Sequence, residues 1–109
     1  MADDTGVVIV LTNFPDRESA MAVAAYLVEQ RLAACVNVLD GCASIYRWKG
    51  KLESEREVPV LIKTPAGLFG AVQAAIRSRH PYELPEIVAV PVTAGLVEYL
   101  SWVRAETSG

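Results

Sequence analysis

Apolar and polar positions alternate most regularly between Ala34 and Thr64. On the rising arm Ala34, Val36 and Val38 alternate with Cys35, Asn37 and Leu39, and Ile45, Tyr46 and Trp48 lead on to Lys49-Gly50. On the falling arm Leu52, Val58, Val60 and Ile62 take one side, and Glu53, Glu55, Glu57 and Lys63 the other. Period two is the signature of strands. Lys49-Gly50 between two such arms predicts a two-residue hairpin turn, because glycine accepts the positive φ of a primed turn. Pro59 cannot donate to a ladder, so it marks an edge or bulge where the pairing changes partner.

The flanking segments alternate less and run more apolar. Val7–Leu11 and Ile87–Val92 predict strands covered on both faces. Thr12-Asn13-Phe14-Pro15 breaks the first, and Asp16 then caps a helix to about Gln30 with Ala20, Met21, Ala24, Leu27, Val28 and Leu32 as its stripe. Thr64-Pro65 reads as an N-cap and first turn, opening a helix over Pro65–Arg79 with Leu68, Phe69, Val72, Ala75 and Ile76 inward. Leu96, Tyr99, Leu100 and Val103 line a short final helix flanked by Trp102. The order β-α-β-β-α-β-α is the split-βαβ, ferredoxin-like α+β arrangement, an antiparallel sheet with an extra C-terminal helix, in one domain spanning residues 1–109.

Arms of about 13–15 residues reach about 40–50 Å, whereas a domain of this size has a radius of gyration near ~13 Å. The outer hairpin therefore lacks sheet of its own to pair with. It carries Ile45, Tyr46, Trp48 and Leu52, which are costly to leave in water. Pairing with further copies of the chain resolves both problems. The alternative is a hairpin bent back over its own core.

Composition adds weight to this picture. Hydrophobic residues make up 52% of 109, and the mean hydropathy is +0.29. Yet the apolar runs fall far short of a membrane span. The acidic start Met1-Ala2-Asp3-Asp4 has no signal-peptide character, which predicts a cytoplasmic location. A net charge of −3 and scattered basic residues argue against nucleic acid. Cys35 and Cys42 sit about 23 Å apart if extended, too far for a disulfide, and on opposite faces unless a bulge at Asp40-Gly41 intervenes.

Enzyme templates are missing. There is no G-x-S-x-G, no Walker loop and no G-x-G-x-x-G, so neither catalysis nor an organic cofactor is expected. The single histidine rules out a His-rich metal centre within one subunit. The chemistry that remains lies in His80-Pro81-Tyr82-Glu83-Leu84-Pro85-Glu86, an imidazole, two carboxylates and a phenol on a loop stiffened by prolines. His80, Glu83 and Glu86 are acceptable ligands for Cu²⁺ or Zn²⁺, with water or another subunit completing the sphere. The plainer account is a helix-to-strand connection with His80 at a helix C-terminus. Glu53, Glu55 and Glu57 are a second candidate: three carboxylates on one strand face attract cations weakly, although such a row is more often a solvated face guarding an edge. Lys63 reads as pairing with a carboxylate or meeting an anionic ligand.

Ala33-Ala34-Cys35-Val36-Asn37, Ser44-Ile45-Tyr46-Arg47-Trp48-Lys49-Gly50-Lys51, Ile62-Lys63-Thr64, His80-Pro81-Tyr82, Pro85-Glu86-Ile87 with Val90-Pro91-Val92, and Tyr99-Leu100-Ser101-Trp102 together resemble the CutA family of divalent-cation tolerance proteins. The resemblance runs in order along nearly the whole chain. It implies a homotrimer whose hairpins join neighbouring sheets, and a link to copper and other divalent cations. It also implies copper ligation by a cysteine after the first strand, the loop histidine and a loop glutamate. His80 and Glu86 match the last two, while Thr12, a hard and weak ligand, stands at the cysteine position. The competing expectation is a trimeric signalling module resembling PII-type proteins. In it an inter-subunit crevice with Tyr46, Trp48, Glu57, Lys63 and Tyr82 would bind a small anion and report it to an unidentified partner.

Overall fold

The computed structural model describes residues 5–109; the acidic start at 1–4 lies outside them. The first strand, β1, is longer than its apolar run. It spans Val7–Phe14 and ends only at Pro15, because Thr12, Asn13 and Phe14 continue the pairing with Val60, Pro59 and Val58. Asp16 caps α1 (Arg17–Glu29) as expected, its carboxylate accepting from the Ser19 N–H at 2.7 Å. Ala20, Val23, Ala24 and Leu27 form its buried face. Met21 and Val28 are exposed, so the inward stripe is narrower than the apolar spacing suggested.

The rising arm is two strands, β2 (Cys35–Val38) and β3 (Cys42–Trp48), both antiparallel to β4 (Lys51–Pro65). Val38 pairs with Val60 and Cys42 with Glu57, so three residues on the rising arm oppose two on β4. That extra residue is the bulge expected at Asp40-Gly41. A Cβ at Gly41 would lie 2.7 Å from the Arg56 guanidinium, which would have to swing aside to admit it. The bulge resets the parity. Both cysteines now oppose odd-numbered β4 residues, Cys35 with Lys63 and Cys42 with Glu57, and both are free thiols. Pro59 sits where the partner of β4 changes, and its carbonyl accepts from the Leu39 N–H.

The helix expected from Pro65 begins later. Thr64 and Pro65 still pair with Val8 and Val7, and the Thr64 hydroxyl donates to the Leu32 carbonyl at 2.7 Å, leaving it no capping role. A 3-10 turn at Ala66–Leu68 intervenes before α2 (Phe69–Arg79), whose Val72, Ala75 and Ile76 are buried. β5 (Ile87–Pro91) and α3 (Val97–Thr107) complete the chain.

The sheet order β2-β4-β1-β5 is antiparallel throughout. Val10, Phe14, Val60 and Ile62 point from it into the core formed with α1 and α2. Leu100 and Val103 of α3 pack separately with Val7, Ala34 and Val92. The opposite sheet face carries Ile9, Leu11, Leu61, Val88 and Val90, which the register places together. β5 is an edge strand with Val88 and Val90 exposed, where the sequence pattern had predicted cover on both faces.

Candidate functional site

The site is built where the hairpin leaves the body of the sheet. Across the hairpin Ser44 opposes Glu55, Tyr46 opposes Glu53 and Trp48 opposes Lys51, so these residues share one face. The loop from α2 to β5 lies against that face. Between them is an open crevice of about 780 Å³ lined by Tyr46, Trp48 and Tyr82, by Glu55, Glu57, Glu83 and Glu86, and by Asn13, Ser44, Ile45, Pro81 and Leu84. No lysine, arginine or histidine is in its wall.

Glu57 is the innermost of the acidic row, only 8% exposed, where the alternation pattern predicts a solvated carboxylate. It is buried because the bulge and the 80–86 loop close over the base of the hairpin. Tyr82 lies beside it in the crevice wall. Desolvation first, then the hydrogen-bonding influence and the charge of Glu57, push the Tyr82 phenol up to about 12. Tyr46 is raised in the same direction by desolvation, then by Glu55, Glu53 and Glu57. Two phenols held neutral among carboxylates make the crevice a region of negative potential.

Of the sequence candidates, Tyr46, Trp48, Glu57 and Tyr82 meet here, with Glu83 and Glu86 of the metal set. Lys63 does not: it bonds to Asn37 on the next strand and lies outside the crevice. Glu55, named in the acidic row, enters the wall through its pairing with Ser44; sequence reasoning missed Asn13, which reaches the site because β1 runs past Thr12.

His80 belongs to the same loop but faces β1. Its Nε2–H donates to the Asn13 carbonyl at 2.5 Å, and its Nδ1 accepts the Tyr82 N–H at 3.2 Å. Its ring stacks on Phe14 with centroids 4.4 Å apart. Glu86 accepts from the Asn13 side-chain amide at 2.9 Å. Thr12 is buried opposite Val60 and Ile87 with its hydroxyl unpartnered. Among the described residues no three His, Cys, Asp or Glu side chains form a group able to hold a metal ion. The donor set implied for copper, Thr12, His80 and Glu86, therefore does not fit that ion within one protomer.

The family model for the CutA1 divalent ion tolerance protein matches residues 8–106. This chain belongs to the CutA family. The divalent-cation tolerance protein CutA of Thermus thermophilus is 44% identical over 99 residues, 91% of this chain and 96% of the relative. The crystal structure of CutA from Xylella fastidiosa superposes with a TM-score of 0.92 at 44% identity, covering 94% of this chain and 99% of that one. The periplasmic divalent cation tolerance protein CutA from Archaeoglobus fulgidus gives 0.91 at 32% identity, with coverage of 94% and 99%. The CutA fold and family assignment thus agree with the hairpin, loop and closing-helix motifs of the sequence.

Proposed function

We propose that this chain serves divalent-cation tolerance as a non-catalytic, cytoplasmic homotrimer, a single CutA domain per subunit, whose acidic crevice is the surface that meets the cation. The observation carrying this is the crevice wall: four carboxylates and two neutral phenols with no cationic side chain among the described residues. Such a wall concentrates divalent cations, copper among them, and repels anions. Closing a coordination sphere there requires water or a neighbouring subunit. The PII-like alternative loses its anchor, because the Lys63 ammonium is occupied by Asn37 on another part of the sheet. A non-catalytic role is supported by His80: backbone groups take both ring nitrogens, and neither cysteine is among their partners. Trimerisation is supported by the apolar sheet face and by Ile45 and Leu52 of the hairpin, 70% and 74% exposed in the single chain.

The test is calorimetric titration of the metal-free protein with Cu²⁺, Zn²⁺ and an anionic nucleotide, beside Glu55→Gln and Glu57→Gln. Saturable cation binding that weakens at least tenfold in these variants is expected. Nucleotide binding with no cation response would overturn the proposal.

A further inference from the structure

The chain has one imidazole, and its surroundings assign it a task other than the ligand role that its family resemblance implies. α2 stops at Arg79, and His80 takes an extended backbone, φ −86° and ψ 135°, that turns the chain toward β1. A backbone carbonyl only accepts, so the nitrogen 2.5 Å from the Asn13 oxygen must carry the proton. A backbone N–H only donates, so the nitrogen 3.2 Å from the Tyr82 amide must be bare. One neutral form, Nε2–H, satisfies both contacts. A metal ligand needs a free nitrogen lone pair along the metal direction. Here Nε2 has none in that tautomer, and the lone pair of Nδ1 points at the Tyr82 amide. Phe14 covers one face of the ring.

The same bonds place the crevice wall. Asn13, near the end of β1, holds the loop twice: its carbonyl takes His80 at the start and its side-chain amide takes Glu86 at the end. Between these two anchors lie Tyr82, Glu83 and Leu84, all in the crevice wall. We infer that His80 is a positioning residue, fixed as the Nε2–H tautomer, that fastens the 80–86 loop to β1 and binds no metal in this chain. This goes beyond the cation-tolerance proposal, and the tautomer assignment does not depend on it.

The decisive experiment is a long-range ¹H–¹⁵N correlation spectrum of the untagged protein at about pH 8, above the ordinary imidazole range. A single imidazole makes the spectrum unambiguous. The expected pattern is that of the Nε2–H tautomer, unmoved by several equivalents of the diamagnetic Zn²⁺. Either nitrogen signal moving to saturation at one Zn²⁺ per subunit overturns the inference, as does the Nδ1–H pattern. His80→Asn keeps an acceptor near the Nδ1 position and His80→Gln a donor near the Nε2 position, so both variants test the role without an empty site. The Tyr82 amide is expected to remain protected from exchange in His80→Asn and to lose at least tenfold in His80→Gln. Equal amide protection in the two overturns it. Glu57→Gln separates the two ideas: if it leaves cation affinity unchanged, the crevice proposal fails while the tautomer assignment is still decided by the spectrum.

Discussion

Thr12 is the residue least satisfied by its surroundings: 2% exposed, between Val60 and Ile87, with a hydroxyl that meets no partner. A buried unpaired hydroxyl costs about 1–3 kcal/mol, and replacing it by an apolar group of the same shape recovers part of that. Thr12→Val is therefore expected to raise stability by about 1 kcal/mol in chemical denaturation at fixed protein concentration; an unchanged or lower midpoint would show that the hydroxyl is used. Tyr82 gives a pH prediction. Its folded value of about 12 lies above the ordinary 10.0, so the folded state favours the protonated phenol. That stabilisation is complete below about pH 10 and is lost as pH rises from about 10 to about 12. Absorbance titration should show a phenol ionising near the top of this window, and Tyr82→Phe should remove it. The sequence named Tyr82 and Glu57 but not their contact. Alternation along one strand says which side a carboxylate takes, and leaves open whether a loop 25 positions later closes over it.

The hairpin and its turn were readable because their chemistry is local. Lys49 and Gly50 adopt φ of 52° and 82°, both left-handed, as a primed two-residue turn requires. Lysine is strained there and glycine is not. Gly50→Ala is expected to cost about 1 kcal/mol, and Lys49→Asn to gain a few tenths of that, because asparagine tolerates this region. Thermal melts of the two variants moving the same way would sink this account. The bulge was readable for the same reason, from Asp40-Gly41. The start of α2 was not. Thr64-Pro65 has the local form of a helix start, yet the ladder with Val8 and Val7 and the Thr64 bond to Leu32 outweigh it. Tertiary packing also decides Met21 and Val28, whose spacing suits a buried stripe but which stay exposed outside the core that α1 shares with the sheet.

Across the whole molecule the hairpin has two faces with different chemistry. Ser44, Tyr46, Trp48, Glu53 and Glu55 take the crevice side, whereas the register puts Ile45, which also touches the crevice, with Arg47, Leu52 and Ser54 on the other. Near the body that second side of β4 continues into the buried Val60, Ile62 and Thr64; near the tip it leaves Ile45 and Leu52 bare in the single chain. The molecule is 44 Å long but only 29 and 23 Å across, so it has no core of its own to bury those side chains. Covering each is worth about 1.5–3 kcal/mol, and closed symmetry repeats the gain in every subunit. Placing a carboxylate at both positions reverses its sign at every repeat. The double substitution Ile45→Asp with Leu52→Asp is therefore expected to lower the mass in light scattering from three times 11.8 kDa to 11.8 kDa at micromolar concentration. The body should stay folded, because its two apolar clusters contain neither residue. A parent already at the single-chain mass would remove the trimer altogether. A double variant that keeps the triple mass would move the interface off the hairpin and onto the sheet face of Ile9, Leu11, Val88 and Val90.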